Sequence, residues 1–211
     1  MHIRAAHGFT LIEAVVVVAI MSVLLAVGMP SMSDWLLGRK AMAAAVFYRD
    51  GFALARGTAI SHSAHSRLVM SDNTANGKLD WRVDVCFPVK DVVCDDQDKN
   101  ETAWSTASAD APNDPDTAQA FRSIVRSAEA LPDGDTLQQT VTPSGAHEIY
   151  FTPLGWVDRT VGTRVERIDL QPSLTRPAAF KPLSVFMTLS GIAVICEKGV
   201  AAADVRGCPI P

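Results

Sequence analysis

The chain has 211 residues, a formal net charge of −4, 48% hydrophobic content and 20% charged residues. That suits one domain with its own core plus an appendage, is too apolar for wholesale disorder, and is too acidic for a generally basic nucleic-acid-binding domain. Aromatic residues, at 7%, offer no long platform for stacking bases.

Residues 1–8 form a short polar leader in which Arg4 is the only side chain with a fixed charge. Residues 9–33, Phe9 to Ser33, then contain a single charged residue, Glu13. As a helix this stretch rises about 37 Å, enough to cross a hydrocarbon core of about 30 Å. Arg4 and the amino terminus place the leader on the cytoplasmic side and the C-terminal bulk outside it. Gly28 and Pro30, near the end of the apolar run, predict a kink. Helical spacing resumes over 34–61. Leu37, Ala41, Ala44, Tyr48, Phe52, Ala55 and Ala59 recur every three or four residues, the pattern of one core-facing stripe.

From residue 62 to 211 the period changes to two. Leu79, Trp81, Val83, Val85 and Phe87 alternate with Asp80, Arg82, Asp84 and Cys86, which predicts a half-buried strand. Further strands are expected over 67–70, 136–142, 148–152, 164–170, 183–189 and 192–196. Ser190-Gly191 forms the turn between the last two. The predicted fold class is α+β: a long N-terminal transmembrane helix packed on an antiparallel β-sheet domain. Residues 90–135 carry 11 acidic and 4 basic side chains, and the Asp110–Asp116 stretch with its two prolines predicts an exposed, poorly ordered loop.

Three readings of Phe9–Ser33 compete. It could be a secretory signal cut at Ala26-Val27-Gly28, a plain anchor, or a segment processed nearer the start. A carboxylate in a membrane helix costs about 2.5–3.5 kcal/mol, so Glu13 needs a role that neither a disposable signal nor a plain anchor supplies. Cleavage after Gly8 would give Phe9 a new ammonium group. That group lies four residues from Glu13 on one helix face, where the two charges can neutralise each other within or between subunits.

The segment Gly8-Phe9-Thr10-Leu11-Ile12-Glu13, with its short leader and long apolar helix, resembles the processing site of type IV prepilins and type II secretion pseudopilins. The resemblance implies a pilin-like fold, cleavage after Gly8 by prepilin peptidase, N-methylation of Phe9, and Glu13 as the assembly carboxylate. Phe52 to Ile60 is similar to the helix end of FimT/FimU-type minor pilins and of the H-type minor pseudopilin. Ile149-Tyr150-Phe151-Thr152-Pro153-Leu154-Gly155 resembles a strand-and-turn motif of that branch.

An exported domain meets an oxidising compartment, so disulfides are expected of its four cysteines. Of the three possible connectivities, the local pairs Cys86–Cys94 and Cys196–Cys208 are favoured. No metal site or cofactor is expected: neither pair has zinc-ligand spacing, His62 and His65 read as surface residues, and Asp95, Asp96 and Asp98 lack the pattern of a calcium loop. No catalytic motif is present, so an enzyme is not expected.

The sequence thus points to a minor pseudopilin at or near the tip of a periplasmic pseudopilus. Its expected partners are other minor and major subunits, prepilin peptidase and an inner-membrane assembly platform. A type IV pilus minor pilin, for pilus assembly or DNA uptake, is the alternative. Some FimT-type proteins carry two arginines at the C-terminal hairpin, where this chain has Gly191-Ile192-Ala193-Val194. Lys198 and Arg206 are the cations nearby, too few for strong phosphate binding.

Overall fold

The computed structural model describes residues 10–90, 93–94, 102–201 and 203–209, with the side chains of 27–31 excepted. One helix, α1, runs from Leu11 to His62. Its backbone is continuous through Gly28 and Pro30, so the expected kink does not divide it into two elements. At its end Ser63 adopts a left-handed conformation, φ 48°, and the Ala64 N–H returns to the Ala59 carbonyl at 3.1 Å. That bond satisfies one of the last free helix carbonyls.

Eight strands follow: β1 His65–Asp72, β2 Leu79–Cys86, β3 Ile124–Arg126, β4 Leu137–Thr142, β5 Glu148–Phe151, β6 Arg167–Pro172, β7 Leu183–Met187 and β8 Ala193–Glu197. They form two four-stranded sheets of order β3-β2-β1-β5 and β4-β6-β7-β8. Every strand pair is antiparallel. The antiparallel β domain expected from sequence is thus built as two sheets, and β3, three residues long, lies where the sequence predicts no strand.

The second half of α1 packs against both sheets. Ala41, Ala44, Tyr48, Phe52, Ala55 and Ala59 are buried in one core with Leu68, Val83 and Ile149 of the first sheet and Ile168, Leu170 and Val185 of the second. Alanines at five of these core positions (Ala45 makes the fifth) let the helix axis come close to the strands. Gly51 marks a close approach to β1 and β2, since a Cβ there would stand 3.0 Å from Leu68 and from the Trp81 ring. By contrast, every described side chain from Leu11 to Ala26 is exposed.

The insert of 90–135 departs from expectation. Where described, it covers the outer face of the first sheet instead of standing in solvent. Trp104 and Ser105 are fully buried, and the Ser105 N–H and hydroxyl bond the Val85 backbone at 2.9 Å each. Within the supposedly loose 110–116 stretch, Asp114 is only 9% exposed and accepts the N–H groups of Asp116 and Phe121. This cover changes β2. Asp84 and Cys86, placed on a wet face by alternation, are both fully buried. Under the cover, Asp84 accepts Arg67 Nε at 2.9 Å and Arg82 Nε at 2.8 Å. The Arg67 guanidinium lies 4.6 Å from the Trp104 ring centre, and that ring packs edge-on against Tyr150.

Candidate functional site

Two regions at opposite ends of α1 bear on function. At the start, Thr10 is the N-cap and its hydroxyl accepts the Glu13 N–H at 3.3 Å. Thr10-Leu11-Ile12-Glu13 therefore has the spacing of a capping box, with the acid in the first turn where the helix dipole favours negative charge. Glu13 is exposed. Gly8 and Phe9 lie outside the described residues, as do Asp95, Asp96 and Asp98.

The other region is a clamp, about 65 Å further along the helix at 1.5 Å per residue. Arg56 Nε donates to the Gly155 carbonyl at 3.1 Å. Gly155 (φ 76°) sits so close to the helix that a Cβ would collide with Ile60. Gly191 (φ 79°) sits against Gly155 in turn, and a Cβ there would overlap the Gly155 carbonyl oxygen and press on Arg56 Cδ. Positive φ and missing Cβ atoms both require glycine at these two turns. The helix end at 52–60, the strand and turn at 149–155 and the hairpin at 190–191 thus form one unit that ties α1 to both sheets.

Beside the two glycines the clamp loops expose Leu154, Trp156, Leu189 and Ile192, an apolar surface at the end of the domain furthest from Glu13. A cavity of about 460 Å³ opens next to it, lined by Ile149, Val157, Val165, Phe186, Met187 and Leu189. Sequence reading named the stretch containing Arg56 but gave that side chain no role, because its partner is 99 residues away.

Both local disulfides are present. Cys86–Cys94 anchors the start of the insert to the end of β2, and Cys196–Cys208 fastens the C-terminal tail to β8. His62 is exposed and stacks edge-on with Phe121 and Phe87. His65, expected at the surface, is half-buried in β1, and burial lowers its pKa against an opposing pull from Asp158. Among the described residues no cluster of potential metal ligands occurs. The two cations near the C-terminal hairpin are engaged within the chain, Lys198 Nζ with Asp169 at 2.7 Å and Arg206 with Asp204 at 2.8 Å.

Residues 3–29 match the family described as the prokaryotic N-terminal methylation motif. The motif is type IV prepilin-like, and it implies processing by prepilin peptidase and assembly into pilin-type filaments. No curated protein and no solved structure matches the chain. Among the described residues no helix is long and apolar enough to cross a membrane.

Proposed function

We propose that the chain is a non-catalytic minor pseudopilin of a type II secretion system, placed at or near the tip of a periplasmic pseudopilus. The observation that carries this reading is the methylation motif at 3–29 on a helix whose second half is built into a β domain. On this reading residues 9–33 hold the subunit in the inner membrane, with the β domain in the periplasm. A helix that is apolar on all sides and touches none of its own domain needs lipid or other helices around it. Prepilin peptidase cuts after Gly8 and methylates Phe9, and Glu13 neutralises the new amine of its own or a neighbouring subunit during extraction. The clamp end then meets other minor subunits or cargo through Leu154, Trp156, Leu189 and Ile192.

The pairing of Lys198 and Arg206 with Asp169 and Asp204 favours secretion over DNA capture, because phosphate binding grows with the number of free cations presented. The test is the intact mass and N-terminal sequence of the protein from native membranes. A start at N-methylated Phe9 is expected. A start at Met29, or an uncut Met1, rejects the filament reading. Glu13→Leu is then expected to be cleaved normally yet recovered from membranes and not from sheared filaments.

A further inference from the structure

Where α1 enters the β domain, exposed apolar and cationic groups gather at one level. Met32, Trp35 and Leu36 on the helix are 65%, 60% and 48% exposed. Beside them the β6–β7 connection reaches down from the second sheet. Its Arg176 bonds the Ser33 hydroxyl at 2.8 Å and pairs with Asp34, and its Leu174 is 84% exposed. Arg39, one turn above Trp35, lays its guanidinium 5.8 Å from the indole centre. Lys40 follows it, and neither cation has an ion pair among the described residues. Arg176 neutralises Asp34, which leaves Arg39 and Lys40 as the cations of the helix at this level, with Glu129 and Asp133 across the cavity that Lys40 lines.

We infer that the base of the β domain rests on an anionic bilayer surface before the subunit enters a filament, with Trp35 and Leu174 among the headgroups and Arg39 and Lys40 against their phosphates. This rests on the proposed reading of 9–33 as the membrane segment. The position of that run selects the occupant. Trp35 stands about 3 Å of helix rise beyond Ser33, and Arg39 about 9 Å, while the headgroup zone is about 5–8 Å deep. Side chains on a helix lean toward its N-terminus, here toward the bilayer, so Arg39 and Lys40 reach down into that zone. Tryptophan flanked by basic residues is the composition that settles at a membrane boundary. The Arg176 bridge fixes Leu174 at the same height, so two elements, not one helix, meet the surface.

The test uses the full chain reconstituted in phosphatidylcholine vesicles and in equimolar phosphatidylcholine–phosphatidylglycerol vesicles, each with and without brominated phosphatidylcholine as quencher. Trp35 is read as the difference between the parent and W35F, while V18W in the W35F background reports on the span. Trp81 and Trp104 are buried and Trp156 is at the far end, so they supply a constant background. We expect bromolipid to quench the Trp35 signal and phosphatidylglycerol to increase that quenching. R39Q/K40Q should lower the ratio of docked to raised domains on the anionic vesicles by about fivefold per cation, about 30-fold together. Quenching at position 18 without quenching of Trp35 would leave the anchor intact and overturn the docking, pointing to neighbouring subunits as what covers Trp35. No quenching at either position would overturn the membrane segment and the docking with it. Quenching of Trp35 that ignores phosphatidylglycerol and R39Q/K40Q would overturn the role of anionic headgroups.

Discussion

Arg56 and Gly155 are joined by a 3.1 Å hydrogen bond from the guanidinium of a helix side chain to a loop carbonyl 99 residues away. A bond from a charged donor contributes about 1–3 kcal/mol. Arg56→Ala should therefore lower the unfolding free energy by about 1–2 kcal/mol in urea titration, the lower part of the range because Arg56 is half-exposed.

Gly191 and Gly199 separate two costs of adding a methyl group. Both have positive φ, 79° and 85°, but a Cβ at Gly199 meets nothing within 4 Å whereas one at Gly191 overlaps the Gly155 carbonyl. Gly199→Ala should cost about 1 kcal/mol from backbone strain alone, and Gly191→Ala at least about 2 kcal/mol more. Equal melting temperatures for the two variants would mean that the clamp yields without resistance.

Asp84 is fully buried and faces two guanidinium groups, that of buried Arg67 and that of Arg82, which is 28% exposed. Asp84→Asn removes the charge that Arg67 and Arg82 share, and loss of one partner from a buried ion pair costs about 3–5 kcal/mol. The exposed Arg206–Asp204 pair provides the contrast, since Arg206→Gln should change stability by less than about 1 kcal/mol. Thermal unfolding of both variants checks the difference.

His65 gives the domain a sensitivity to acid. Burial depresses its folded-state pKa below the ordinary 6.5, so the unfolded chain binds the proton more readily. Stability contributed by neutral His65 is complete above pH 6.5 and is lost as pH falls from there through the folded value. The melting temperature should fall between pH 7 and 5, and His65→Gln should flatten that slope.

The core stripe of α1 was legible because helical periodicity depends on local spacing, and Ala41, Tyr48, Phe52 and Ala59 are all buried where the pattern put them. The hairpin at Gly191 was legible for the same reason, as a turn signal between two apolar runs. Alternation failed for Asp84 and Cys86, because the Trp104 segment that covers them is contributed by a distant part of the chain whose acidic composition resembles solvated loop. The division into two sheets was also hidden, since strand sequences carry no record of which neighbour they join. The clamp combines both cases: its glycines stand out locally, while the contacts that require them are made only in the fold.

The tail fastened by Cys196–Cys208 bears on which contacts a second molecule can make. Glu197 bridges Gly207 in parallel and its N–H bonds the Arg206 carbonyl at 2.7 Å, so the tail occupies the open hydrogen-bonding edge at the lower end of β8. An unguarded edge is a template for pairing with any passing strand. By placing Arg206 and Gly207 there, the chain discourages strand pairing at that end of β8. On the proposed reading, ordered assembly then falls to the helix, whose apolar flank offers no backbone edge to a passing strand.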